Sequence, residues 1–149
     1  MIRTLKFIVI FFVIALLLPG ELLAGTSVKT GIRVIHASSD AVHVDPGLRD
    51  IGPELKSVFR YTSYTLLKQT SMDLAPGTQG RVRLPGGRTL EVMPLDIKGR
   101  RIKYRIAIFK QGARVFGTEV LLRNRGSITI GGPRFKNGYL LFNISGTRR

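Results

Sequence analysis

Glycine-bearing turns punctuate the second half of this chain at near-regular intervals, and they restrict the fold more than any other feature. They fall at Gly86-Gly87, Gly99, Gly112, Gly126 and Gly138, about every thirteen residues. Glycine enters the left-handed backbone region of tight hairpins without a Cβ penalty. Between these points lie runs of β-forming residues at 89–92, 102–109, 115–122, 127–130 and 139–144. Asn137-Gly138, Lys98-Gly99 and Gln111-Gly112 supply the hairpin pairs. Strands so evenly spaced and so closely joined predict an antiparallel meander.

The runs also alternate. Ile102, Tyr104, Ile106 and Ile108 share one phase, and Arg101, Lys103 and Arg105 share the other. Successive strand side chains point to opposite faces, so one face is core and the other cationic. Val82 and Leu84 oppose Arg81 and Arg83 in the same way, and Leu140, Phe142 and Ile144 oppose Tyr139 and Asn143. Glu91 and Glu119 lie in neighbouring strands, where they can partly neutralise the stripe. Exposed pairs of this kind contribute about 0–1 kcal/mol each.

The earlier part of the chain has a different pattern. Residues 30–37 read as a first strand and residues 38–46 as a loop. Asp45-Pro46 looks like a helix start, with Asp45 as N-cap and proline in the first helical position. Leu48, Ile51, Leu55, Val58 and Phe59 recur at the spacing of one helical face. Gly52-Pro53 interrupts that face, which predicts a kink or two short helices. Residues 61–67 return as a strand. The expected fold class is α+β, mostly β: an N-terminal strand–helix–strand, then an antiparallel β-meander. The sheet packs on the short helix and curls towards a half-barrel or sandwich.

Residues 1–24 have the layout of a secretory signal peptide. Arg3 and Lys6 precede twelve apolar residues at 7–18, Pro19-Gly20 breaks the run, and small residues follow at Ala24, Gly25, Thr26 and Ser27. The run is shorter than the roughly 20 residues a spanning helix needs. Leu22-Leu23-Ala24-Gly25 resembles the start of a bacterial lipoprotein box, but Thr26 stands where the lipid-bearing cysteine would be. The expected organisation is a signal peptide over 1–24 and one β-rich exported domain over 25–149. That domain would be periplasmic or extracellular, not lipid-anchored, and without a further membrane span.

Export changes the meaning of the composition. The chain has no cysteine, so a domain in an oxidising compartment must rely on packing and backbone ladders alone. A thiol nucleophile and a cysteine metal site are both excluded. The formal net charge is +15, and it is uneven. Residues 25–80 carry six Lys/Arg against five Asp/Glu, whereas residues 81–149 carry sixteen against three. A basic half points to a polyanion. Export moves the candidates away from cytosolic nucleic acid, towards lipopolysaccharide, anionic headgroups, acidic wall polymers or an acidic envelope protein complex. A sheet that carries cations only for solubility gives the same composition.

Two sets of candidate site residues follow. The anion- or partner-binding set is Arg81, Arg83, Arg101, Lys103, Arg105, Arg123 and Arg125. The metal-binding set is His36, Asp40, His43 and Asp45, which places both histidines and two carboxylates within ten residues. Imidazole and carboxylate suit zinc, copper or nickel, though a turn and an N-cap also account for the two aspartates. No nucleophile is spaced against a base, so neither an enzyme nor a cofactor is expected. Leu84-Pro85-Gly86-Gly87-Arg88 lacks the Lys-Ser/Thr and following helix of a phosphate loop and reads as a hairpin turn. Asn143-Ile144-Ser145 is a formal glycosylation sequon inside an expected strand. Tyr104, Phe109, Phe116, Phe135 and Tyr139 interleave with cations as on an oligonucleotide-binding sheet, but most lie on the core phase.

The run Phe59-Arg60-Tyr61-Thr62-Ser63-Tyr64-Thr65-Leu66-Leu67, with L-P-G-G-R-T-L-E-V, G-S-I-T-I-G-G-P and G-Y-L-L-F-N-I-S further on, resembles a group of uncharacterised exported β-domain proteins of Gram-negative bacteria. The resemblance covers nearly all of residues 25–149 and implies a location but no activity. N-R-G-S-I-T-I-G-G is also similar to a strand of outer-membrane secretins, over about ten residues. The expected function is a non-catalytic periplasmic or envelope-associated binding or assembly module with a cationic sheet face. The alternatives are a metal-binding protein using His36 and His43 with Asp40 and Asp45, and an extracellular nucleic-acid binder.

Overall fold

The structure, a computed structural model, describes residues 25–149; the signal peptide expected over 1–24 lies outside the described residues. The strands are β1 (Val28–Ser38), β2 (His43–Val44), β3 (Ser63–Leu74), β4 (Gly80–Leu84), β5 (Arg88–Lys98), β6 (Arg101–Lys110), β7 (Ala113–Arg123), β8 (Gly126–Phe135) and β9 (Gly138–Arg148). A 3₁₀ turn at Pro46–Leu48 and one helix, α1 (Gly52–Val58), sit between β2 and β3. The protein is therefore α+β and mostly β. Of the kink or two short helices expected, the structure has two short helical segments, and Gly52-Pro53 begins the second, since proline is tolerated in the first turn.

The strands form two sheets. The first has the order β2-β3-β1-β9-β8 and the second β4-β5-β6-β7. All pairings are antiparallel except the short parallel contact of β2 with β3. The expected meander is real over β4 to β7, but it stops there. β8 and β9 cross to the other sheet, where β9 pairs with β1. The reason is visible in β9 itself. Leu140, Phe142 and Ile144 face one way and Leu141 the other, and all four are buried. A strand apolar on both faces must lie where both faces are covered, and only the first sheet has a layer on each side.

One layer is the second sheet. Ile32 and Val34 of β1 and Leu140 and Phe142 of β9 pack against Leu90, Val92, Ile102 and Ile106. Each such side chain contributes roughly 1.5–3 kcal/mol when fully buried. Tyr104 is wholly buried among them, and its hydroxyl shares a 2.8 Å hydrogen bond with Thr30 Oγ1 of the facing sheet. Burial raises the Tyr104 pKa, so the bond stays neutral. The other layer is the helical segment. Leu48, Ile51 and Leu55 cover Ile35, Ala37, Tyr64 and Leu141. Tyr64 Oη lies 2.9 Å from the carbonyl oxygens of Leu55 and Phe59 and serves the helix C-terminus. Val58, expected on the apolar face, is exposed at the end of this short helix.

Turn positions differ by one residue at two hairpins. Gln111 and Gly112 form their turn as expected, both with positive φ. The other two turns are Gly99-Arg100 and Lys136-Asn137, because Lys98 pairs with Arg101 and Phe135 with Gly138. Gly138 belongs to β9, where a Cβ would run into the carbonyl oxygen of Ala37. Glycine is needed there for close approach, not for turning. Asn143 is buried in β9 and holds Ser127, Thr129 and Arg33 through its amide, so the sequon is inaccessible in the folded protein. Among the described residues no helix is long and apolar enough to cross a membrane.

Candidate functional site

The outer face of the second sheet carries the cations in rows fixed by strand register. Arg81 lies opposite Glu91 across β4–β5, and their side chains bond at 2.9 Å. Arg105 lies opposite Glu119 across β6–β7. Glu119 accepts from Arg105 at 3.0 Å and from Lys103 at 3.1 Å. These two cations hold the Glu119 carboxyl below the usual carboxylate range. Arg83 faces Thr89 at the opposite end of the sheet. The middle of the stripe is therefore largely neutralised from within.

One end of the stripe is not. Arg101 stands directly opposite Arg123 across β6–β7, a like-charge cross-strand pair that costs stability instead of adding it. The β5–β6 turn adds Arg100 and the β7–β8 turn adds Arg125. With Asn124 these residues line one open depression. Among the described residues none of the four arginines has a carboxylate partner. The nearest acidic residue along β5, Asp96, is taken by Lys98 at 3.7 Å.

The backbone beneath these arginines is tied down on three sides. Asn124 N–H donates to Arg100 O at 2.6 Å, Arg125 N–H donates to Gly146 O at 2.8 Å, and Arg148 N–H donates to Asn124 Oδ1 at 2.7 Å. The β7–β8 turn is thus anchored to both sheets, with Arg125 in the left-handed region at φ 66°. Four guanidinium forks on a fixed platform are suited to phosphate or carboxylate oxygens. Arginine stays protonated throughout the physiological range. The depression therefore offers binding, and none of its lining side chains offers a proton for acid–base chemistry.

Of the expected cationic set, the structure brings Arg101, Arg123 and Arg125 together and engages Arg81, Lys103 and Arg105 elsewhere. Arg100 and Asn124 were not expected. Alternate turns of a meander lie at the same end, so the Gly99-Arg100 and Asn124-Arg125 turns could have been placed side by side by counting strands.

The His/Asp set is dispersed in its contacts. His36 points between the sheets, edge-on to Phe135 with ring centroids 5.3 Å apart, and its buried Nε2 has no hydrogen-bond partner. Asp40 accepts from Ser38 at 2.7 Å and from Asn137 at 2.9 Å, which lowers its pKa. His43 Nε2 lies 2.6 Å from Asp45 Oδ1, and Leu66 N–H donates to Asp45 Oδ2 at 2.6 Å. Both contacts lower the Asp45 pKa, the His43 one more strongly. Asp45 occupies the expected N-cap position without capping through its side chain. Its carboxylate instead serves the β3 amide beyond the end of the two-residue strand β2. Among the described residues no three His, Cys, Asp or Glu side chains converge as a metal ion would require.

Compared with known proteins, the chain matches no family model, no curated protein and no solved structure.

Proposed function

We propose that this protein is a non-catalytic, envelope-associated binding module whose arginine-rich end engages an anionic component of the cell envelope. The observation that carries the reading is the facing pair Arg101 and Arg123, flanked by Arg100 and Arg125, with no carboxylate partner among the described residues. A fold gains nothing from opposing two arginines, whereas a phosphate or carboxylate between them removes their repulsion and fills their donors. The signal-like residues 1–24 and the net charge of +15 support an exported location and an anionic partner. The neutralised middle leaves unpaired cations at both ends of the second sheet, and only the Arg101–Arg123 end sets two arginines directly opposite one another.

The test is retention of the purified protein on vesicles containing anionic phospholipid, compared with lipopolysaccharide micelles and duplex DNA. Arg101→Glu with Arg123→Glu is expected to abolish retention, and wild-type retention should weaken steeply as salt is raised. Lys103→Gln, which touches the neutralised region, should change it little. Equal retention of the double variant would sink the proposal. Retention on DNA alone would move the reading to nucleic-acid binding.

A further inference from the structure

The far end of the strands is cationic too. Turns alternate along a meander, so the β4–β5 and β6–β7 turns lie together, opposite the end that carries Arg100 and Arg125. Arg88 Nη1 donates to Arg134 O at 3.4 Å, which places the end of β8 beside them. Arg88 stands directly opposite Lys110 across β5–β6, a second like-charge cross-strand pair. Arg83 lies near the end of β4, and Lys136 in the β8–β9 turn. Among the described residues none of these four cations has a carboxylate partner. Asp40, drawn to this end by Asn137, spends its oxygens on Asn137 and Ser38. Between the two ends Glu91 takes Arg81, and Glu119 takes Lys103 and Arg105. The second sheet is positive at both ends and neutralised in the middle.

Each end also exposes apolar side chains of β7 beside its cations. Leu121, 55% exposed, lines a depression with Arg101. The two carboxylates of that depression, Asp96 and Glu119, are already bonded to Lys98 and to Lys103 with Arg105. At the far end Val115 and Phe116, 57% and 37% exposed, line a groove with Arg88 and Lys110. Unpaired cations beside exposed aliphatic and aromatic side chains suit an anionic lipid interface, where the cation meets phosphate and the apolar group enters the acyl boundary. A nucleic acid would use the cations and leave Val115 and Leu121 idle. The eleven residues of β7 hold the two sets apart, by ten steps of about 3.3 Å. A molecule lying flat along β7 would press Glu119 onto the phosphates, whereas one standing on end would not.

We propose, on the reading of the first end given above, that the protein bridges two anionic lipid surfaces, its arginine end holding one and its Arg88–Lys110 end touching a second. The second contact is the weaker, because it offers one facing pair where the first offers four guanidinium groups on an anchored platform. Alone it does not retain the protein. A surface coated with bound molecules presents many such ends together, and their sum holds the second surface.

The experiment mixes protein purified from cells expressing the full gene product with vesicles of phosphatidylglycerol and phosphatidylcholine. Sedimentation reads retention, and light scattering reads clustering. The wild type should be retained and should cluster the vesicles, and excess lipid, which spreads the molecules thinly, should disperse them. Arg88→Gln with Lys110→Gln should slow clustering about tenfold and change retention less than about twofold. The chain has no tryptophan, so Leu121→Trp and Val115→Trp each add a single reporter without altering any charge. Leu121→Trp emission should shift to the blue on all binding, and Val115→Trp emission only where vesicles cluster. Retention without clustering would overturn the bridging and leave the first site intact, whereas no retention of the wild type would overturn both. A blue shift of both reporters on dispersed vesicles would overturn it in favour of a molecule lying flat. Undiminished clustering by Arg88→Gln with Lys110→Gln would remove the far end from any role.

Discussion

The two sheets are built from similar strands, yet the middle of the first is covered on both faces and the second on only one. In the first sheet β9 is buried along most of its length, with the second sheet on one face and the helical segment on the other. Asp45 and the Arg33–Asp50 pair, bonded at 2.7 Å, secure its flank. In the second sheet one face is core and the other is cationic, and β7 is exposed over most of its length. Where β9 is covered on both faces no surface is left for recognition, whereas the outer face of the second sheet and the free edge of β7 stay accessible.

The largest expected effect breaks this comparison if it is absent. Phe142→Ala, in the doubly covered β9, should cost about 3–5 kcal/mol. Val115→Ala, on the open edge, should stay within about 0.5 kcal/mol. Urea denaturation of both variants measures the contrast, and comparable losses would mean that the second sheet is as tightly held as the first.

A smaller effect concerns the carboxylates on each side. Asp45 has a folded-state pKa below its usual value because His43 and the Leu66 amide bond to the charged form. Its contribution is complete above the unfolded value of about 3.9 and is lost as pH falls through the depressed folded value. Asp45→Asn should therefore cost about 1 kcal/mol near neutrality and flatten the acid limb of a stability–pH profile. Glu119→Gln removes an exposed partner on the open sheet and should leave the urea midpoint at neutral pH almost unchanged. A larger loss at Glu119 than at Asp45 would reverse the assignment of the stabilising contacts.

The smallest effect has the opposite sign. Arg123→Glu converts the facing arginines into a cross-strand ion pair and should raise stability by about 0.2–1 kcal/mol while reducing retention on anionic vesicles. A thermal melt and a vesicle-binding measurement on the same variant check both directions. Lower stability would show that the repulsion is already relieved within the protein.

Much of the fold was legible in the chain. Ile102, Tyr104, Ile106, Ile108, Val82 and Leu84 are buried as their alternation required, because strand periodicity is local. Leu48, Ile51 and Leu55 form the covering face of the helical segment for the same reason. The pairing of Glu91 and Glu119 with stripe cations was also accessible, since short turns fix the register of neighbouring strands. What escaped was the departure of β8 and β9, although Leu141 on the polar phase of β9 was a signal that both faces would be covered. The two turns of the depression around Asn124 were within reach of strand counting, whereas its anchoring to Gly146 and Arg148 of the C-terminal strand was not, because that contact is remote in the chain.

The sequence by itself determined the strands, their inward faces, the excess of cations in the second half and the absence of disulfides. Each of these is set by residue type and by periods of two or three to four. Only the tertiary structure decided which cations are spent on carboxylates and which stand unpaired beside one another. It alone placed β9 between two layers and left the β7 edge open. Those outcomes depend on contacts between residues far apart in the chain, where burial of apolar area selects the partner and electrostatics adjusts to the result.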